Sequence, residues 1–97
     1  MKIAIAITTK DRLEFLARAV TGHLNHMPPG ANYFVIDDGS NPAVEFDGLD
    51  SNWHLFRFEE NVGIPRAKNK GLELAEEWGA DHIFLFDSDV WPIADNW

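Results

Sequence analysis

Apolar residues follow two rhythms along this chain. Ile3, Ala4, Ile5, Ala6 and Ile7 form an unbroken run, the mark of a strand covered on both faces. Asp11 is then the expected N-cap of a helix, with Glu14 three residues on as a carboxylate version of the capping box. Leu13, Leu16, Ala17, Val20 and Leu24 recur at helical spacing, and Pro28-Pro29-Gly30 stops that helix. Tyr33-Phe34-Val35-Ile36 is a second strand of the buried type and runs into Asp37-Asp38-Gly39-Ser40. Residues 41–52, with Pro42, Gly48 and several acids, read as loop with room for one helical turn. Leu55-Phe56-Arg57-Phe58 is a weaker strand suited to a sheet edge. Pro65 fits the first turn of a second helix, whose stripe is Ala67, Gly71, Leu74, Ala75 and Trp78 and whose C-cap is Gly79. Ile83-Phe84-Leu85-Phe86 is the last strand, and Asp87-Ser88-Asp89 follows it.

Strand, helix, strand, crossover, strand, helix, strand predicts an α/β fold of three layers, a mostly parallel sheet with helices on both faces. Right-handed crossovers give the strand order 3-2-1-4. In such sheets ligands bind beyond the carboxyl ends of the strands, where the winding reverses. Those ends carry Thr8-Thr9, Asp37-Asp38 and Asp87-Ser88-Asp89. The polar chemistry gathers on one edge.

Length and charge narrow the picture. Ninety-seven residues hold one domain and one modest core. A hydrophobic share of 45% with 25% charged residues is globular rather than disordered. No run approaches the ~20 apolar residues of a membrane span, and the first apolar run is cut off by Lys10-Asp11-Arg12 too early for a signal peptide. Cysteine is absent, which excludes disulfides, thiolate metal sites and cysteine nucleophiles and suits a cytoplasmic location. A net charge of −8 argues against nucleic acid as a partner. It also repels anionic ligands unless a cation or a local basic patch intervenes.

Each motif has a bland reading beside a chemical one. Asp37-Asp38-Gly39-Ser40 fits a turn, with aspartate starting it and glycine at positive φ. Two adjacent carboxylates repel each other, though, and a turn needs only one. At a strand's end a carboxylate can accept a pyrimidine imino N–H or a ribose hydroxyl. Asp87-Ser88-Asp89 fits a solvated loop, yet alternating acids after an apolar strand are also a common way to hold Mg²⁺ or Mn²⁺. The second helix starts basic (Arg66, Lys68, Lys70) and ends acidic (Glu73, Glu76, Glu77), the reverse of what the helix dipole prefers. That basic start would face an anion, either a bound diphosphate or the acidic cluster at the strand ends; pairs such as Lys70 with Glu73 on a solvated face are the plain alternative. Gly71 in mid-helix implies close packing on the sheet, and Asn61 and Gly63 shape the loop before it. The four histidines show no ligand spacing, and His23 and His26 read as surface residues. Trp78 belongs to the core stripe and Trp53 borders a strand, while Trp91 and Trp97 would cover the sheet's end or line a sugar pocket.

Taken in order, the strand ending in Thr8-Thr9, then Asp37-Asp38-Gly39-Ser40, Asn61-x-Gly63-x-x-x-Ala67-x-Asn69-x-Gly71 and Asp87-Ser88-Asp89 resemble the GT-A glycosyltransferases of the family 2 type. The match spans nearly the whole chain and departs at Lys68, where many members have arginine. The resemblance implies a Rossmann-like nucleotide-binding half, with residues 1–97 as one domain that binds a nucleotide-diphosphate sugar (UDP-, GDP- or dTDP-linked). Thr8, Thr9 and one of Asp37 or Asp38 would hold base and ribose, Arg66 and Lys68 would face the diphosphate, and Asp87 would contact ribose or donor sugar. Asp89, with Asp87, would ligate Mn²⁺ or Mg²⁺. Family members continue into an acceptor-binding half, which in inverting members supplies a carboxylate as catalytic base, and nothing in these residues matches that base. The acceptor and the catalytic residue are therefore left open.

Other classes fit less well. A sugar-nucleotide pyrophosphorylase would need a glycine-rich loop after the first strand, where Thr8-Thr9-Lys10-Asp11 has none. A phospho-receiver domain would carry its paired acids after the first strand, not the second. The non-enzymatic alternative is a nucleotide-binding or assembly module on the same fold, with self-association covering an open sheet edge.

Overall fold

A computed structural model describes residues 1–11, 13–27, 29–40, 44 and 51–88. Its elements are β1 (Ile3–Thr9), α1 (Leu13–Asn25), β2 (Ala31–Asp38), β3 (Trp53–Phe58), α2 (Ile64–Trp78) and β4 (His82–Asp87). The strands form one sheet in the order β3-β2-β1-β4, and every pairing is parallel. The order expected from right-handed crossovers is the order observed.

Alternation along the central strands builds two apolar layers. On one face Ile5 and Ile7 of β1 join Ala31, Tyr33 and Val35 of β2, with Leu16 and Val20 of α1 packed over them. On the other face Ala4 and Phe34 meet Leu74, Ala75 and Trp78 of α2. Each central strand thus feeds both layers, which is why its sequence is apolar without a break. Small residues let α2 approach closely: a Cβ on Gly71 would come within 2.9 Å of the Ala6 Cβ.

α1 corrects the expected stripe. The buried face runs through Leu16, Ala19, Val20 and His23, while Ala17 and Leu24 point outward. His23 is not a surface residue: it is 0% exposed, with its ring edge-on to Phe86 at 4.9 Å and to Tyr33 at 5.5 Å. Tyr33 in turn stacks on Trp53, 4.1 Å between centroids. Burial lowers the His23 pKa to about 4 and raises that of Tyr33 to about 12, since both charged forms lose hydration.

Asp11 does not take the capping position either. Its φ of 54° is left-handed rather than the extended conformation of an N-cap, and its N–H donates to Ser40 Oγ at 2.8 Å. The expectations for Arg12, for most of 41–50 and for 89–97, including Asp89, Trp91 and Trp97, lie outside the described residues.

Candidate active site

Parallel strands end together, so the termini of β1, β2 and β4 bring distant residues to one edge. Around a cavity of about 680 Å³ stand Thr8 and Thr9 of β1, Lys10 just after it and Asp38 of β2. Asn61, Gly63, Ile64, Ala67 and Lys68 of the α2 entry, Asp87 of β4 and the following Ser88 complete the lining. That volume is within the ordinary range for small-molecule sites.

The two adjacent acids have different surroundings. Asp37 is wholly buried and does not line the cavity. Its Oδ1 accepts the Ser40 N–H at 2.9 Å, its Oδ2 accepts the Val44 N–H at 3.0 Å, and Arg57 Nε stands 3.6 Å from Oδ2. Asp38 is the acid on the cavity. Its Oδ1 accepts the Val62 N–H at 2.7 Å, and its Oδ2 accepts the Gly63 N–H at 3.1 Å and Asn61 Nδ2 at 3.0 Å. It therefore clamps the loop that enters α2. Gly39 allows this approach, because a Cβ there would lie 2.7 Å from the Asn61 nitrogen.

Asp38 also explains the reversed charges of α2. The first turn of that helix has no acid and the cap Gly63 makes no side-chain bond, yet a carboxylate from β2 sits against its entrance. At the far end Lys2 Nζ donates to the Trp78 carbonyl at 3.1 Å and lies 5.1 Å from the Trp78 ring centroid. Both helix ends receive the favoured sign of charge from elsewhere in the chain, Asp38 at the end of β2 and Lys2 just before β1. The basic start divides between the two readings: Lys68 reaches a strand-end acid at Asp87, 3.6 Å away, while Lys70 pairs with Glu73 on its own helix at 3.3 Å.

Lys68 and Asp87 meet across the cavity's rim. Lys68 Nζ is 3.6 Å from Asp87 Oδ1, and Thr8 Oγ1 donates weakly to the same oxygen at 3.5 Å. Thr9 is 4% exposed, and its hydroxyl has no hydrogen-bond partner among the described residues. Arg66 is exposed and does not line the cavity. Asn61 and Lys10 line the cavity although neither is among the expected ligand-facing residues; the signal for Asn61 was its place beside Gly63 in the loop between β3 and α2.

Comparison with known proteins decides the family. Residues 4–97 match the family model described as glycosyl transferase family 2. The chain belongs to that family. The succinoglycan biosynthesis protein ExoU of Rhizobium meliloti is 32% identical over an alignment 112 positions long, gaps included, that covers 97% of this chain and 32% of that protein. This glycosyltransferase-family chain thus spans about a third of the length of the curated relative it matches. The crystal structure of S. aureus TarS 1-349 superposes with a TM-score of 0.68 at 18% identity, over 94% of this chain and 28% of that one. At that identity the likeness shows the fold: the parallel α/β sheet expected from the strand pattern, of the GT-A type that the motif resemblance implied. No helix among the described residues is long and apolar enough to cross a membrane.

Proposed function

We propose that this family 2 domain, residues 1–97, binds a nucleotide-diphosphate sugar at the cavity and presents it for glycosyl transfer to an acceptor. The observation that carries the reading is the convergence of Thr8, Thr9, Asp38, Lys68 and Asp87 on one cavity from separate stretches of chain. Asp38 and Asp87 close strands separated by β1, so their backbones stand two strand spacings apart, roughly 10 Å. A nucleoside diphosphate spans such a gap. Thr9 and Asp38 would meet base and ribose at one side, with the buried Thr9 hydroxyl as a ready polar partner. Lys68 would offset diphosphate charge at the other, countering a net charge of −8 that otherwise repels it.

Residue types at the site fit a divalent ion. Among the described residues no group of three or more His, Cys, Asp or Glu could hold a metal alone, but Mg²⁺ and Mn²⁺ need only one or two carboxylates when phosphates supply other ligands. Asp87, with its side chain 56% exposed, would be one ligand and Asp89 the other. The ion would neutralise charge developing on the departing nucleoside diphosphate. Release of Asp87 from Lys68 would accompany binding, freeing the ammonium for the phosphates. A cytoplasmic location completes the reading and suits the cysteine-free chain.

Calorimetric titration with UDP, GDP and dTDP, each with and without Mn²⁺, tests it. Manganese-dependent binding that is lost in Asp87→Ala and Asp89→Ala supports the assignment, whereas binding indifferent to the metal refutes the metal site. Absence of binding to all three nucleotides would favour a second reading, an assembly module. One observation supports that reading: Phe84 and Leu85 of β4 are 40% and 43% exposed on opposite faces of a strand that ends the described sheet.

A further inference from the structure

We propose that Arg57, a residue outside the cavity, is a positioning residue for the cavity wall formed by Thr9 and Lys10, and thereby controls nucleotide affinity; the affinity part rests on the function proposed above. Arg57 stands opposite Asp37 in the parallel register of β2 and β3. From there Nε faces Asp37 Oδ2 at 3.6 Å and Nη2 donates to the Ser40 carbonyl at 3.3 Å. One guanidinium thus grips both ends of the 37–40 turn, in the planar geometry arginine favours. The turn is closed inside by the Ser40 N–H on Asp37 Oδ1 at 2.9 Å, and Ser40 is 1% exposed.

Ser40 carries the constraint to the opposite side of the turn. Its Oγ accepts the Asp11 N–H at 2.8 Å, across 29 residues of sequence. Asp11 holds a φ of 54°, a conformation that a residue with a Cβ keeps when its surroundings over-determine it. The two residues before it, Thr9 and Lys10, line the cavity. Their direction therefore depends on Asp11, Asp11 on Ser40, and Ser40 on a turn clamped by Arg57. A simpler role, neutralising the buried Asp37, would give Arg57 importance for stability without a specific effect on Asp11.

The test separates these roles with Arg57→Gln and the milder Ser40→Ala. Amide hydrogen exchange of Asp11 is expected to speed up by about tenfold or more in both variants while that of Ile5 holds. UDP affinity in the presence of Mn²⁺ is expected to fall about fivefold in each, and by no more than that in the double variant. Asp11→Gly, which accepts positive φ without a Cβ, should restore most of the affinity lost in Arg57→Gln. Unchanged Asp11 exchange in Ser40→Ala, or losses that multiply in the double variant, would overturn the proposal. Should wild-type protein bind no nucleotide, the proposed function fails, and the exchange measurement still decides whether Arg57 sets the wall.

Discussion

His23 occupies a place on α1 that an aliphatic residue would ordinarily take. It lies seven positions after Leu16 on the buried stripe, wedged against Tyr33 and Phe86. Its neutral form is favoured in the folded state, with a pKa of about 4 against an ordinary 6.5. The unfolded chain therefore binds the proton more readily. Stability from this residue is fully present above pH 6.5, falls as pH drops toward 4, and levels off below that. The difference corresponds to about 3 kcal/mol. Urea denaturation of wild type and His23→Leu across pH 7.5 to 4 should show that part of the loss disappearing in the variant. At position 39 a second effect is purely steric. Gly39→Ala places a Cβ against the Asn61 backbone at φ 75°, and should destabilise by about 2 kcal/mol or more in the same assay. Residue roles of this kind were partly legible. The glycine at Gly39 signalled its turn, but a histidine within an apolar stripe is polar by type, and only its phase relative to Leu16 revealed the burial. The Asp37-Asp38 pair could not be divided from sequence, because adjacent strand residues point to opposite faces and the partners (Arg57, Val62) come from later in the chain.

α2 shows how an element can break a local rule and be compensated from outside. Its own charges oppose the dipole, while Asp38 and Lys2 supply the right sign at either end. Lys2→Met keeps the apolar stem but removes the cation, and should lower stability by about 0.5–1 kcal/mol at low salt, with the gap narrowing as salt rises. Gly71→Ala would ordinarily stabilise a helix interior by about 1 kcal/mol. Here the added methyl meets Ala6 Cβ at 2.9 Å, so the sign should reverse to a loss of about 1–3 kcal/mol; thermal melts of the two variants check both statements. The anomaly was visible in the sequence as misplaced charge. Its resolution was not, because Lys2 and Trp78 are 76 residues apart and only the β1–β4 pairing unites them. The C-cap, by contrast, was readable from Gly79 alone: its φ is 90° and the Ala80 and Gly79 amides bond Ala75 and Glu76, the usual ending with glycine in left-handed conformation.

At the scale of the molecule, one topological fact places the candidate site. Parallel strands joined by right-handed crossovers must end on the same edge, so continuous apolar runs followed by polar residues were enough to bring Thr8, Asp38 and Asp87 together. The two-sided burial of β1 and β2 was equally readable, since only a strand covered on both faces is apolar throughout. β4 is the exception, its apolar run being largely exposed at the sheet edge among the described residues. Proposed self-association through that edge predicts a sedimentation coefficient that rises with concentration in wild type and stays constant in Leu85→Lys. In the proposed function a nucleotide seats across the ends of β1, β2 and β4. Amide chemical-shift mapping of the labelled protein, titrated with UDP and Mg²⁺ as the diamagnetic ion, tests this most directly. The predicted result is a set of saturable shifts at Thr9, Lys10, Asp38, Gly63, Lys68 and Asp87, with Gly30, Gly79 and Asp81 at the opposite edge unmoved. Shifts confined to that opposite edge, or none at saturating nucleotide, would contradict it.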